Sequence, residues 1–555
     1  MDNTENRLTF PWMFDETLRK FGNHNAYAFV GEVPKTYETV NKEIQSVIAF
    51  LEKNEICPGD KIAILSLNMP NWAIAYLSIT FMGAVVVPIL PDFSPTEIAN
   101  VLDHSGSKAI FISNTLQSRI EGFKSQVLKT TILIEDFSLI KPEKSSVKFD
   151  YSALPEKKYN VEEEDLASII YTSGTTGRSK GVMLTHKNIT FNAMKGMVIQ
   201  PIDENDRFLS VLPLSHTYEN TLGLVLPLLG GSCVYYLRKP PTPTVLIPAM
   251  AEVKPTMMLT VPLIMEKIYF NKILPTFRDS MILNLLYKIP FIRKMLNVAA
   301  GKKLVTTFGG NLKFFGIGGA KLNKTVERFL REAKFPYAVG YGLTETAPLL
   351  AGANPQKSVF ESTGPAIQDI ELIINNPDKN TGEGEIWAKG PNIMKGYYKE
   401  PDMTKEVLTH DGWFKTGDLG AFDRNNNLYI KGRLKNMIVG ASGENIYPEE
   451  IESIINNFRF VVDSLVVQQK GKLVALVHIN MEELEKKYQL IKQDMTRQKQ
   501  DMTRQVELKV DEVLTELQLY VNSQVNKFSQ IQKVVLQPYP FQKTATLKIK
   551  RFLYT

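Results

Sequence analysis

Between residues 61 and 112 short apolar runs alternate with longer segments that are apolar at helical spacing. Lys61-Ile-Ala-Ile-Leu-Ser-Leu67 reads as a buried strand, Trp72 to Phe81 as a helix, and Gly83-Ala-Val-Val-Val-Pro-Ile89 as a strand. Pro95 to Ser105 reads as a helix, and Lys108-Ala-Ile-Phe-Ile112 as a strand. A strand that is apolar at consecutive positions hides both faces, so the sheet must carry helices above and below. The pattern predicts layered α/β architecture. It resumes at Arg207-Phe-Leu-Ser-Val-Leu212, Met257-Met-Leu-Thr-Val261 and Phe314-Phe-Gly-Ile-Gly318. Strands then become more polar. Ile370-Glu-Leu-Ile-Ile374 and Gly384-Glu-Ile-Trp-Ala388 flank a turn-rich stretch, which suggests an antiparallel region. A boundary is expected near Gly432-Arg-Leu-Lys435, before a smaller α+β unit.

With 555 residues the chain has room for two or more domains, and 44% hydrophobic with 22% charged residues fits ordinary globular packing. A net charge of +6 over this length does not argue for nucleic acid. It is compatible with anionic cosubstrates or a weak attraction to anionic lipid. The two cysteines, Cys57 and Cys233, lack metal-ligand spacing and read as structural thiols of a reducing compartment. The N-terminal residues lack the basic-then-apolar pattern of a signal peptide. The most apolar stretch, Leu222 to Leu237, is interrupted by Pro227 and Gly230-Gly231. It falls short of the roughly 20 residues that a spanning helix needs. The expectation is a cytoplasmic protein without a transmembrane segment.

Two segments stand apart. Residues 271–303 are apolar with interspersed cations and are broken at Pro290. They read as a helical hairpin packed on its own domain, with a patch lying on a membrane surface as the competing reading. Residues 482–518 are charged and glutamine-rich. They contain Gln493-Asp-Met-Thr-Arg-Gln-Lys followed by Gln500-Asp-Met-Thr-Arg-Gln-Val. Such a repeat returns to nearly the same helical face but holds too few apolar positions for a long coiled coil. It reads as a solvated helix inserted in the small domain.

The densest chemistry lies at Tyr171-Thr-Ser-Gly-Thr-Thr-Gly-Arg-Ser-Lys-Gly-Val182. A Gly/Ser/Thr loop leaving a strand can converge its backbone N–H groups and hydroxyls on an anion, with Arg178 and Lys180 adding charge. It is not a Walker loop, because Arg178 and Ser179 separate Gly177 from the lysine. Five further segments carry chemistry, and Glu345, Tyr341 and Asp418 among them could supply the metal carboxylate, stacking aromatic and ribose acceptor that a nucleotide triphosphate needs. The segments are Leu212-Pro-Leu-Ser-His-Thr-Tyr-Glu219, Gly316-Ile-Gly-Gly-Ala320, Tyr341-Gly-Leu-Thr-Glu-Thr-Ala-Pro348, Asp411-Gly-Trp-Phe-Lys-Thr-Gly-Asp418 and the basic tail Gln542-Lys-Thr-Ala-Thr-Leu-Lys-Ile-Lys-Arg551. The glycines of 316–320 let a flat ligand approach the backbone. Taken singly, Glu345 reads as a surface residue, Asp418 as a turn residue, Tyr341 as core packing and His216 as a satisfied interior histidine.

This ordered set, with Gly432-Arg-Leu-Lys435, resembles the adenylate-forming acyl-CoA synthetase superfamily, from Thr36-Tyr37 to Arg551. The Leu-Pro-Leu-Ser-His-Thr-Tyr-Glu segment and Leu547 are most like the long-chain fatty acid ligases. The resemblance implies a large N-terminal multi-layer α/β domain with a β-rich subdomain over 1–434. A small mobile C-terminal α+β domain over 435–555 would turn on a hinge at Lys435. It implies an enzyme that uses ATP and Mg²⁺ to join a medium- or long-chain fatty acid to CoA through an acyl-adenylate. An acyl carrier protein is the alternative acceptor, and a noncatalytic membrane-associated lipid sensor is the alternative of a different class. By similarity, Thr172, Ser173, Gly174, Thr175, Thr176 and Lys180 would hold the β- and γ-phosphates. Glu345 would bind the metal, with Thr344 near the α-phosphate. Gly318, Gly319, Ala320, Tyr341 and Gly342 would frame the adenine, and Asp418 and Arg433 the ribose. Lys548 would bridge carboxylate and α-phosphate, with Lys543, Lys550 and Arg551 as confusable neighbours. Rotation would withdraw Lys548 and bring Ser442, Gly443 and Glu444 toward the CoA channel. His216 would border the acyl pocket, and Leu222 to Leu229 could line or support an acyl tunnel; a buried core helix is the competing reading, and the two are not exclusive.

Overall fold

The computed structural model describes residues 7–141, 159–172, 179–278, 280–440, 444–488, 499–544 and 548–554, without the side chains of 486–488 and 499–507. Two large sheets dominate. The first has eight strands, in the order Gly396–Tyr397, Lys180–Thr185, Leu166–Thr172, Val85–Ile89, Lys61–Leu65, Ala109–Ile112, Thr130–Leu133, Leu139–Lys141. Its centre is parallel and its edges are antiparallel. The second has seven strands, in the order Tyr337–Val339, Phe314–Ile317, Met257–Thr260, Arg207–Ser210, Cys233–Tyr236, Asn25–Phe29, Lys35–Thr36. All its pairs are parallel except the last.

The pleat sorts each strand between two cores. Ile62, Ile64, Val86 and Phe111 face a core that also holds Phe208, Val234, Met257 and Leu259 of the other sheet. Ala63, Leu65, Val87 and Ile110 face the opposite way, onto the helix Pro95–Ser105. Leu209 and Met258 likewise turn from the shared core toward the helices Pro243–Val253 and Lys324–Glu332. The helices Phe10–Phe21, Tyr37–Lys53 and Pro70–Phe81 lie between the two sheets. Pro70–Phe81 is buried at every position except Asn71, as expected for a helix that is apolar all round. The layered α/β expectation holds.

Four antiparallel strands, Glu371–Asn375, Gly384–Lys389, Phe414–Phe422 and Leu428–Arg433, form a separate sheet. After Arg433 a core of its own collects residues between Ile446 and Ile531. It lies around the strands Val461–Gln469, Lys472–Ile479 and Lys533–Leu536.

That last core corrects one expectation. Residues of 482–518 do not form a solvated insert. The helix Lys499–Asn522 buries Val510, Val513, Leu514, Leu517 and Val521 beside Ile451 and Val466. Their spacing of three and four residues is an apolar stripe, and the polar repeat preceding it masked the stripe. The repeat at 493–506 falls on residues or side chains outside the described ones. Within Leu222 to Leu229, the side chains of Leu222, Leu224, Val225, Leu226 and Leu228 belong to the central core, and no residue of this run lines the cleft described next. The core reading of this segment holds.

Candidate active site

A cleft of about 2330 Å³ runs between the large sheets, the four-stranded sheet and the C-terminal unit. Typical single-ligand pockets hold about 300–1,000 Å³, so this one has room for more than one substrate. Thr172, Lys180, His216, Gly318, Gly319, Ala320, Tyr341, Gly342, Thr344, Glu345, Asp418, Arg433, Lys435 and Lys548 all line it.

The glycine-rich loop joins two antiparallel strands, with Thr172 opposite Lys180 across its neck. Ser173, Gly174, Thr175 and Thr176 lie outside the described residues. Lys180 Nζ sits 4.9 Å from the centre of the Tyr397 ring. Tyr397 in turn donates its hydroxyl to Glu345 Oε1 at 2.9 Å. Loop base and carboxylate are thus tied through one aromatic side chain.

The turn carrying Glu345 is held from outside. Thr185 and Asn188 form a capping box at the start of helix His186–Ile199, which fixes the helix against the strand bearing Lys180. One turn further along the same face, Asn192 donates to Leu349 O at 2.9 Å and accepts from Leu349 N at 3.1 Å. Asn392 donates to Thr346 O and Leu349 O at 2.7 and 3.0 Å. Met394 N donates to Glu345 O at 2.9 Å. Asn192 and Asn392 are fully buried. Sequence reasoning missed both, and Tyr397 as well. Isolated asparagines and tyrosines carry no local signal of where their partners lie.

Asp418 and Arg433 face each other in register on adjacent strands and pair at 2.7 Å. Asp418 Oδ2 also accepts from the Tyr341 hydroxyl at 2.9 Å. Burial raises the Asp418 carboxyl above its ordinary value, and the Arg433 charge opposes that rise. The strand pairing therefore pre-orients this acceptor beside its cation.

His216 caps the short helix Thr217–Glu219, its Nδ1 accepting from Tyr218 N at 3.3 Å, which leaves the proton on Nε2. Burial, and then the Lys548 charge, push it down to about 4. It is a neutral wall residue and not an acid. Asn68 holds its loop, donating to Leu212 O at 2.6 Å and accepting from Leu214 N at 2.9 Å. The Tyr218 ring packs against Gly318, where a Cβ would meet it at 3.1 Å, and a Cβ at Gly316 would meet the Phe314 ring and the Tyr218 hydroxyl at 2.8 Å. Gly319, at φ +85°, has an open side, and its left-handed backbone favours glycine.

Lys548 reaches this constellation from the far end of the chain. It is exposed along the cleft yet ringed by protein. Desolvation lowers its ammonium first and Arg433 next, while Asp418 and Glu345 pull the other way. Its neighbours are separated from it by their partners. Lys543 pairs with Asp463 at 2.7 Å, and Arg551 pairs with Glu452. These two tie the tail to the strand Val461–Gln469 and to the helix Pro448–Ile455. Lys435 is exposed in the turn Leu434–Asn436. Ser442 and Gly443 lie outside the described residues, and Glu444 does not line the cleft.

Among the described residues no three His, Cys, Asp or Glu side chains cluster as a resident metal centre. A lone carboxylate such as Glu345 suits Mg²⁺ that arrives with substrate phosphates, because that ion is held by one or two carboxylates and phosphate oxygens.

The profile of the AMP-binding enzyme family matches residues 14–398, and the chain belongs to that family. It is similar to the peroxisomal long chain acyl-CoA synthetase 7 of Arabidopsis thaliana, at 28% identity over 80% of this chain and 69% of the relative. Long chain acyl-CoA synthetase 1 of the same plant is also 28% identical, over 99% and 91% of the two chains. Among solved structures, O-succinylbenzoate coenzyme A synthetase of Bacillus subtilis, in complex with ATP and magnesium ion, shares the fold. Its TM-score is 0.74 at 21% identity, covering 97% of this chain and 98% of that one.

Proposed function

We propose that this chain is an ATP-dependent acyl-CoA ligase that activates a medium- or long-chain fatty acid. The observation that carries the reading is the convergence of Lys548 on Glu345, Asp418, Arg433 and His216 across more than a hundred residues of intervening chain. In the first half-reaction a carboxylate oxygen attacks the α-phosphorus of ATP. The bond to the β-phosphate breaks, and pyrophosphate leaves with its charge held by Lys180 and the loop. Lys548 bridges the attacking carboxylate and the α-phosphate, a task suited to a compact cation on a flexible stem. Glu345 would hold Mg²⁺, which would supply charge neutralisation at the phosphates. Asp418 and Arg433 position the ribose. In the second half-reaction the CoA sulfur attacks the acyl carbon and AMP departs.

We read residues 435–555 as a body that turns about Lys435 between the two steps. Each body has its own core, and polar pairs bridge them: Lys321–Glu450 at 2.9 Å, Asn323–Asn457 at 2.6 Å and Tyr447–Glu383 at 2.7 Å. Polar interfaces of this kind permit relative motion. Rotation would withdraw Lys548 and carry Ser442, Gly443 and Glu444 toward the thiol.

The test is Lys548→Ala. Release of pyrophosphate should fall by on the order of a hundredfold or more, while thioester formation from supplied acyl-adenylate persists. Equal loss of both would refute the role. AMP formation with CoA across a series of fatty acids tests the substrate, and turnover of aromatic acids alone would overturn it. Acyl transfer to a carrier-protein thiol, with none to free CoA, would reassign the acceptor.

A further inference from the structure

The hairpin at 281–307 presents the wrong chemistry to water. Its helices are Met281–Tyr287 and Pro290–Thr307. Their inner side is secured. Tyr287 stacks on the buried Phe277 with ring centroids 4.7 Å apart and donates to Asn297 Oδ1 at 2.9 Å. Arg293 pairs with Glu332 at 2.8 Å. The outer side carries Met281 (89% exposed), Ile282 (72%), Leu285 (66%), Ile289 (46%), Phe291 (73%) and Met295 (60%). Six large apolar side chains are exposed between Met281 and Met295, and clustered exposed apolar surface marks interaction sites. The hairpin packs on its own domain as expected, through one face, and leaves the other exposed.

Charge complementarity decides what covers the patch. Residues 271–303 contain seven Lys or Arg and one Asp. Exposed Arg278, Lys288 and Lys294 flank the apolar residues. An apolar face rimmed by cations matches a surface that is anionic at its boundary and hydrocarbon beneath. We propose that this face docks on an anionic lipid membrane, with the apolar side chains inserted at the headgroup boundary and the cations at lipid phosphates. Among the described residues no helix is long and apolar enough to cross a membrane, so the mode is surface docking. The preceding helices connect the patch to the cleft: Phe270, Leu274 and Arg278 line it, and Arg278 is also exposed at the patch. Resting on the ligase reading above, docking brings this mouth to the bilayer, where an apolar acid enters without crossing water.

The experiment uses the full chain with vesicles of neutral phosphatidylcholine and of phosphatidylcholine containing phosphatidylglycerol. The wild type sediments with the anionic vesicles and binds the neutral ones at least tenfold more weakly. The double variant Met281→Ser/Phe291→Ser loses binding to the anionic vesicles by tenfold or more. Lys288→Glu/Lys294→Glu loses a comparable factor, on the order of fivefold per cation removed, and high salt erases its difference from the wild type. Unchanged unfolding midpoints and unchanged turnover of a water-soluble acid without vesicles show that the variants fold. Binding retained by both variants, or no binding by the wild type, overturns the proposal. So does a wild-type dimer that Met281→Ser/Phe291→Ser dissociates, which would assign the face to a second copy. Failure of docking leaves vesicle-free turnover intact, and failure of the ligase reading leaves vesicle binding intact, so the two are distinguishable.

Discussion

Replacing Glu219 with glutamine should remove a pH dependence that the wild type carries in its core. The residue is 2% exposed. One carboxyl oxygen accepts from Ser210 at 2.6 Å, and the other has no hydrogen-bond partner among the described residues. Burial pushes it from 4.5 up to about 8, with the Ser210 hydrogen bond opposing the rise. Tyr218 and Tyr236 are the titratable groups whose own ionisation its charge opposes. The sign follows from proton counting. Above 4.5 the unfolded chain releases this proton while the folded chain keeps it until about 8, so the folded state binds more protons and stability falls as pH rises through that window. At about 1.4 kcal/mol per unit the full effect is about 4 to 5 kcal/mol, of which about 3 to 4 kcal/mol falls between pH 5 and pH 8. Glutamine keeps the shape and an acceptor for Ser210 but cannot ionise. Urea unfolding of both proteins at a series of pH values isolates the group, because Glu266, Glu327 and Glu452 titrate identically in each. The stability of Glu219→Gln minus that of the wild type should rise steadily across the window. A difference that stays flat to within about 1 kcal/mol would mean that the carboxyl is not held neutral in the fold.

Two further outcomes follow from the packing. Leu517→Ala should destabilise the C-terminal unit by about 2–5 kcal/mol, seen as an earlier transition in its denaturant unfolding. The wild-type leucine is fully buried there, and an effect below about 0.5 kcal/mol would restore a solvated helix. Asn392→Ala strips the donor from the Thr346 and Leu349 carbonyls. It should slow pyrophosphate release at least tenfold through loss of Glu345 placement, and the Mg²⁺ concentration giving half-maximal rate should rise. An unchanged magnesium response would show that Asn392 is structural only.

Much of this architecture was legible because strand and helix periods differ. The runs at 61–67, 83–89 and 108–112 could only be two-faced strands, and the helices between them could only lie on the sheets. The Thr/Gly loop, Glu345, Asp418 and Lys548 stood out because each sits in a dense local motif. What stayed hidden was set by partners distant in the chain. Tyr397 acquires meaning only beside Lys180 and Glu345, and Asn192 and Asn392 only by reaching the carbonyls of 346–349. Lys548, Lys543 and Arg551 look alike in sequence, and Asp463 and Glu452 tell them apart.

The order of elements, the chemistry of each motif and the polarity of each segment are local properties, and the amino-acid sequence determined them alone. Which apolar runs are covered is not local. Leu222 to Leu229 and Met281 to Met295 are both apolar, yet sheets and helices enclose the first, and nothing among the described residues encloses the outer face of the second. Only the tertiary structure could decide that, because burial depends on what the rest of the chain brings alongside.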